Sequence, residues 1–281
     1  MAHSSPGRSV PVLVLGVTAV VAAALAAQHP EIALKLRTRV EAFKGDSRWR
    51  EATIEERVQP SRAALILCDI WDKHWCDGAS DRTAEIAKRT APVVEAARKA
   101  GFLIIHAPSD TMKYYADSPQ RLQILALAPA EPPEPIALTD PALPIDDTDG
   151  GCDTPNNKLP VNYRAWTRQH PAIRVAPEDL ISDNGREVYS ALKLRGINTL
   201  FVAGVHTNMC VLNRTFAIRQ MTKWGLRCIL IRDLTDAMYN PARKPFVSHD
   251  AGTQLVIEHI EKYWAPTVDS SQLMRALQKE S

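Results

Sequence analysis

The sequence predicts a single large α/β domain, in which helices cover both faces of a central, mostly parallel sheet of about six strands. Two observations predict this class. Short, nearly continuous apolar runs, the pattern of strands buried on both faces, alternate with segments of helical period over residues 61–270. The composition also suits one sizeable core, because 45% of the 281 residues are apolar and 23% are charged.

The individual elements follow from these patterns. The strand pattern covers residues 63–69, 102–106, 172–175, 199–205, 227–233 and 266–268. The helix pattern covers residues 82–100, 185–195, 208–224 and 248–263. Gly101, Gly196 and Gly225 follow three of these helices, as glycine commonly does at a helix C-terminus. Residues 271–281 are predicted to form a C-terminal tail.

The N-terminus predicts export. Arg8 precedes an apolar run over residues 10–27, and a small-x-small pattern at residues 24–26 resembles a signal-peptidase site. The run is also near the minimum length that spans a bilayer, so residues 1–27 are either a cleaved signal peptide or a retained membrane anchor. Residues 28–60 are polar and are predicted to form a helical extension that ends at Pro60.

The five cysteines are too few for a disulfide scaffold, and after export their odd number leaves one thiol that is free or pairs with another chain. Cys76 and Cys152 lie among turn-forming residues, and we expect them to form a disulfide. Cys68 and Cys228 lie within apolar strands and are expected to be inert core thiols.

Residues 108–171 interrupt the alternation of strands and helices. This insertion is rich in proline and acidic turn residues. A long loop of this kind inside a compact domain is often a lid or a substrate-selecting element, although a surface excursion without catalytic consequence has the same pattern.

Several function classes are disfavoured. A net charge of +2 gives no basic field, so nucleic acid is not predicted as a partner. No G-x-G-x-x-G segment follows the first strand, which argues against a dinucleotide site, and the lack of a C-x-x-C pair argues against a thiol redox protein.

The carboxyl ends of the strands indicate where chemistry would occur, because doubly wound sheets bind ligands there. Cys210 falls where a strand turns into a helix, and the helix N-terminus is expected to lower its thiol pKa and to offer N–H groups as an oxyanion hole. Asp69 ends the first strand and is the candidate acid/base. A buried structural cysteine and a loop-capping aspartate are the alternatives.

Other strand-end residues could form a pocket or a metal site. Trp71, Trp75, His106 and Asn208 are candidate walls of a small-molecule pocket, and the two tryptophans could equally be core. Asp72, His74 and His106 could bind a divalent metal such as Zn²⁺, although dispersed histidines are the simpler interpretation. No cofactor is required by the chemistry of a cysteine hydrolase.

Asp69, the segment GVHTNMCVLNRTFAIRQM at residues 204–221 and the segment RDLTDA at residues 232–237 resemble the isochorismatase-like hydrolases. The resemblance implies a three-layer, Rossmann-like fold, a small-molecule substrate and a homo-oligomer. It also implies an Asp–Lys–Cys triad, of which Asp69 and Cys210 are two members. The loop with Val205, His206 and Met209 would hold the nucleophile, with a cis peptide bond between Val205 and His206.

The sequence departs from this family at the triad lysine. Pro177 or Glu178 stands where the lysine is expected, and the nearby Arg174 cannot act as a proton carrier. His74, His106 and His206 follow strand ends, so we expect at least one of them within about 6 Å of Cys210 or Asp69; His249, before the last helix, could join them. The predicted function is hydrolysis of a small-molecule amide, carbamoyl or vinyl-ether bond. The alternative is a non-catalytic, ligand- or metal-binding protein of the same fold that has lost the triad lysine.

Overall fold

A computed structural model of the chain describes residue 1, residues 31–43 and residues 45–279. Its centre is an eight-stranded, mostly parallel sheet in the order β2-β1-β8-β7-β6-β3-β4-β5. The predicted fold class is therefore confirmed, with more strands than expected. The strands are β1 (Ile32–Glu41), β2 (Trp49–Val58), β3 (Ala63–Cys68), β4 (Leu103–Ala107), β5 (Leu180–Ile181), β6 (Thr199–Val205), β7 (Arg227–Asp236) and β8 (Thr267–Val268).

Helices cover both faces of this sheet. They are α1 (Asp77–Lys99), α2 (Pro119–Leu125), α3 (Gly185–Leu194), α4 (Cys210–Asn213), α5 (Ile218–Lys223), α6 (His249–Tyr263) and α7 (Ser270–Lys279). Apolar residues of α1 and α7 pack on one face of the sheet, and those of α3, α5 and α6 pack on the other. β3 and β6 lie at the centre and are buried along their whole length, which explains their nearly continuous apolar sequences.

The prediction of a helical extension over residues 28–60 is wrong. Residues 32–41 and 49–58 instead form the antiparallel pair β1 and β2, which joins the sheet through the pair Arg37↔Thr267. Ile32, Leu34 and Leu36 alternate with exposed residues in β1, the period of a strand with one buried face. Burial of this alternating set outweighs the helix propensity of the charged residues.

The open end of the hairpin lies near the amino ends of the parallel strands. There Ile32 pairs with Val58, and only a short turn that includes Pro60–Arg62 separates Val58 from β3. Glu56 also forms an ion pair with Arg227, the first residue of β7, at 2.6 Å. The chain therefore enters the described fold at the edge opposite the carboxyl ends of the strands.

Three further predictions need correction. Residues 271–279 are not a free tail, because they belong to α7, whose Leu273 and Leu277 are buried in the core. Residues 172–175 are not a strand; the edge strand is instead β5. The predicted helix over residues 208–224 is divided into α4 and α5, with Arg214 extended between them.

The insertion contains little regular structure. After α2, residues 126–179 are irregular except for the single bridge between Trp71 and Gln169. The apolar run over residues 10–27 lies outside the described residues. Within the part of the chain that the structure describes, no helix is long and apolar enough to cross a membrane.

Candidate active site

The first functional position is the sharp turn at the end of β3. Asp69 follows this buried strand directly and has a φ of 50°, in the left-handed region. Its N–H donates to the Ala107 carbonyl at 3.1 Å, and its own carbonyl accepts from the Trp71 N–H at 2.8 Å. Residues held in such strained conformations concentrate at functional sites. The turn places a fully buried carboxylate at the carboxyl edge of the sheet.

Cys210 meets this carboxylate from the start of α4. Its thiol lies close enough to the Asp69 carboxylate for the two groups to interact, as the predicted pairing requires. Gly204 in β6 makes the close approach of the strands feasible, because a Cβ there would lie 1.9 Å from the Cys68 carbonyl oxygen. Cys210 is partly exposed, whereas Cys68 and Cys228 are free thiols buried in the core, as predicted.

Arg214 supplies the positive charge of the site. Its Nε donates to Asp69 Oδ2 at 3.0 Å, and a terminal nitrogen lies 3.4 Å from Asp110 Oδ2. The side chain is 33% exposed, so the guanidinium joins the buried carboxylate to the surface. Asp69 therefore contacts a thiol and a fixed cation together.

Burial governs the electrostatics of these three groups. Burial raises the pKa of Asp69, while the Arg214 charge and the Cys210 hydrogen bond oppose this effect. Burial and the neighbouring Asp69 raise the pKa of the Cys210 thiol far above its usual value. The expectation of a lowered thiol pKa is wrong, because α4 has only four residues and cannot offset this desolvation. The Cys210 thiol therefore keeps its proton at neutral pH, beside a permanent cation.

Neither the expected lysine position nor the histidines supply that cation. Pro177 and Glu178 are exposed, and Glu178 lies 3.8 Å from Arg98 near the end of α1. Burial lowers the pKa of His74 to about 4 and that of His206, which also faces His74, to about 3, so both imidazoles are neutral at pH 7. Neither His74 nor His206 therefore supplies the charge of the missing lysine.

His106 is also unavailable to a substrate. Its Nδ1 lies 2.8 Å from Gln169 Oε1, and its Nε2 lies 2.9 Å from Asp179 Oδ2. The Asp179 carboxylate is paired in turn with Arg98. The prediction that His106 lines the substrate pocket is therefore not supported by its contacts, which join β4 to the insertion and to α1.

An aromatic wall lies beside the nucleophile loop. Trp71 stacks on Trp166 with ring centroids 4.2 Å apart, and His74 lies 5.8 Å from Trp166 in a nearly parallel plane. Trp75 and Met209 belong to the same apolar cluster. Trp71 and Trp75 are both buried, so the side chain of this wall that remains partly exposed is Trp166, which the insertion contributes.

The predicted metal ligands do not converge. Asp72 accepts from the N–H and hydroxyl of Thr167, His74 stacks in the aromatic wall, and His106 is held as described above. Within the described ranges, no group of three His, Cys, Asp or Glu side chains could hold a metal ion. The metal site predicted from Asp72, His74 and His106 is wrong.

The nucleophile loop is fixed by backbone and side-chain bonds. The peptide bond between Val205 and His206 is cis, as the resemblance implied. The N–H groups of Met209 and Val211 donate to the His206 carbonyl at 3.0 and 3.2 Å, so they are already occupied. The oxyanion hole expected from this loop therefore cannot use them without rearrangement.

Asn208 anchors this loop and does not present its amide to a substrate. Its Nδ2 donates to Asp147 Oδ2 at 2.7 Å and to the Met238 carbonyl at 3.1 Å. Its Oδ1 accepts from the Met238 N–H at 2.9 Å. The predicted pocket role of Asn208 is thus replaced by a positioning role that connects the loop, the insertion and the end of β7.

A disulfide and a group of four ion pairs attach the insertion to the rest of the domain. The predicted bond between Cys76 and Cys152 is present, with Cα atoms 5.7 Å apart. Arg82 and His249 each pair with both Asp153 and Asp236, at 2.8 to 3.2 Å. Burial alone would lower the pKa of His249, but its bonds to the two carboxylates raise it to about 9.

Sequence reasoning missed Arg214 and Trp166. Arg214 follows Cys210 by four residues on a predicted helix, a spacing that places both on one face and could have identified it. Trp166 had no comparable signal, because its position depends on the path of an irregular insertion.

Comparisons with known proteins support the fold. No protein-family model and no curated protein matches the sequence. A cysteine hydrolase from Pseudomonas syringae pv. phaseolicola 1448A is 17% identical over 80% of this chain and 96% of that chain, with a TM-score of 0.51. An isochorismatase family protein from Burkholderia thailandensis is 16% identical over 79% and 97%, with a TM-score of 0.45. The chain thus shares its fold with the Pseudomonas cysteine hydrolase.

Proposed function

We propose that this protein is an isochorismatase-like hydrolase that cleaves an amide or carbamoyl C–N bond of a small molecule through Cys210. The observation that supports the proposal best is that Asp69 bonds to the Arg214 guanidinium and also interacts with the Cys210 thiol. A thiol, a buried base and a fixed cation form the minimum set for nucleophilic acyl transfer.

The reaction proceeds by proton movement within this set. Asp69 takes the thiol proton as the sulfur attacks the substrate carbonyl, and it later gives that proton to the leaving nitrogen. A thioester remains on Cys210 and is hydrolysed by water. Because Arg214 stays charged throughout, the proton moves between Cys210 and Asp69 without a change in the net charge of the site.

The raised pKa of Cys210 favours a second candidate, a ligand-binding protein without catalysis. A panel of small primary amides and N-carbamoyl compounds, assayed for ammonia release, separates the two. The hydrolase proposal requires that the wild type turns over a substrate. Cys210→Ser should lose about 10²-fold or more of the turnover rate, and Cys228→Ala should keep the wild-type rate. Ligand-induced thermal stabilisation without turnover of any compound supports the binding protein.

We further propose that the protein is exported, or is attached to a membrane through residues 10–27, and acts as a homo-oligomer. The Cys76–Cys152 disulfide supports an oxidising compartment. Because the chain enters the fold at the amino ends of the strands, an N-terminal attachment would leave the catalytic edge facing away from it. Size-exclusion chromatography with light scattering and cell fractionation test these proposals.

A further inference from the structure

Ser109 lies against the Asp69 carboxylate, in the first turn of the insertion after β4. Its N–H donates to Asp69 Oδ1 at 2.7 Å, and its carbonyl accepts from Trp71 Nε1 at 3.1 Å. These two bonds fix the peptide on both sides, and the residue is 2% exposed. Ser109 is thus a rigid part of the site and not a mobile loop residue.

No structural role accounts for the presence of the Ser109 hydroxyl. Its Oγ is close enough to help lower the pKa of Asp69. Yet it is buried and meets no partner at hydrogen-bonding geometry among the described residues. An unpaired buried hydroxyl is unfavourable, so such groups in native proteins usually bind water or a ligand. Thr111, in the same turn, instead donates to the Pro108 carbonyl at 2.6 Å.

The Asp69 carboxylate has room for one more donor. An ionised carboxylate accepts at about four positions. Two are taken, by the Ser109 N–H and by Arg214 Nε. The Cys210 thiol and the Ser109 hydroxyl lie near the same carboxylate. A water molecule that donates to a remaining position would therefore lie near both the Ser109 hydroxyl and the Cys210 sulfur.

We infer that Ser109 Oγ positions the water that hydrolyses the acyl-enzyme, an inference that rests on the proposed function. Asp69 removes a proton from this water as its oxygen bonds to the thioester carbon. The C–S bond then breaks, and Asp69 returns the proton to the Cys210 sulfur, which yields a carboxylic acid and a free thiol. Ser109 therefore acts in deacylation and not in acylation.

Pre-steady-state hydrolysis of p-nitrophenyl acetate separates these two steps. Ser109→Ala should keep the wild-type burst of nitrophenol but lose about 10-fold or more in steady-state rate, the lower range for a group that positions a reactant. Hydroxylamine, which attacks thioesters as a stronger nucleophile than water, should restore its turnover. Ser109→Thr keeps the hydroxyl and should retain most of the rate, and Thr111→Val controls for changes in the turn.

The outcomes distinguish this inference from the proposed function. If the wild type shows no burst and no acyl-Cys210, the proposed function fails. If the wild type is acylated but Ser109→Ala deacylates at the wild-type rate, the inference alone fails. An equal loss in burst rate and steady-state rate in Ser109→Ala would also overturn it, because the residue would then act before deacylation.

Discussion

The catalytic edge of the sheet and the insertion over residues 108–171 are built in different ways. Asp69 and Cys210 follow the fully buried strands β3 and β6, so apolar packing fixes their positions. The insertion has almost no regular structure and is held by the Cys76–Cys152 bond and by polar side chains such as Asp147 and Asp153. The difference indicates that the sheet positions the reacting groups, whereas the insertion forms the wall of the pocket.

The largest expected effect concerns Arg214. Arg214→Gln should lower turnover by about 10²–10³-fold, because the Asp69 charge would lose its partner inside the protein. Activity requires ionised Asp69, so it rises as pH increases through the Asp69 pKa. Without the guanidinium that pKa rises further, and the acidic limb of the pH–rate profile should move to higher pH. Arg214→Lys should be intermediate.

The control for this substitution is Arg186→Gln, since Arg186 forms an exposed ion pair with Glu131. It should keep wild-type kinetics. An unchanged pH profile in Arg214→Gln would mean that Arg214 does not act on Asp69, and the proposed charge arrangement would be wrong.

The next prediction concerns the disulfide that attaches the insertion to the rest of the domain. Reduction of Cys76–Cys152 with dithiothreitol should destabilise the protein by about 2–4 kcal/mol, because the bond closes a long loop of the unfolded chain. The loosened insertion should raise KM more than it lowers kcat, since Asp69, Cys210 and Arg214 do not depend on the bond. Urea unfolding and steady-state kinetics measure the two effects.

The double variant Cys76→Ser/Cys152→Ser should match the reduced wild type and should not respond to dithiothreitol. A large loss of kcat at constant KM after reduction would contradict the division between the two regions, because the disulfide would then support the chemistry itself.

A smaller effect should appear in the pH dependence of stability. His249 has an unfolded pKa of about 6.5 and a folded pKa of about 9, so its stabilising contribution is fully present below about pH 6.5 and is lost as the pH rises through about 9. We expect a loss on the order of 1–2 kcal/mol, reduced by partial solvation. In thermal unfolding, the His249→Gln variant should not show this loss of stability at high pH, whereas the control variant His170→Gln should show it as the wild type does.

The sheet and its catalytic edge could be predicted from the sequence better than the insertion could. The buried strands β3, β6 and β7 carry apolar runs that local pattern reveals, and Asp69 and Cys210 follow directly from their ends. The hairpin of β1 and β2 was not predicted because its charged residues favour a helix in isolation, although Ile32, Leu34 and Leu36 already alternate at the period of a strand. The failed metal prediction had a similar cause, because spacing alone cannot show that Thr167 and Gln169 occupy Asp72 and His106.

The pairing of Asp69 with a nucleophilic Cys210 is the central claim, and acid quenching during p-nitrophenyl acetate turnover tests it most directly. Peptide mapping of the quenched protein by mass spectrometry locates the acyl group. The account predicts one acetyl group on the Cys210 peptide of the wild type, no acetyl group on Cys68 or Cys228, and much slower labelling in Asp69→Asn. Continued turnover with Cys210 unmodified, or equal labelling in Asp69→Asn, would contradict it.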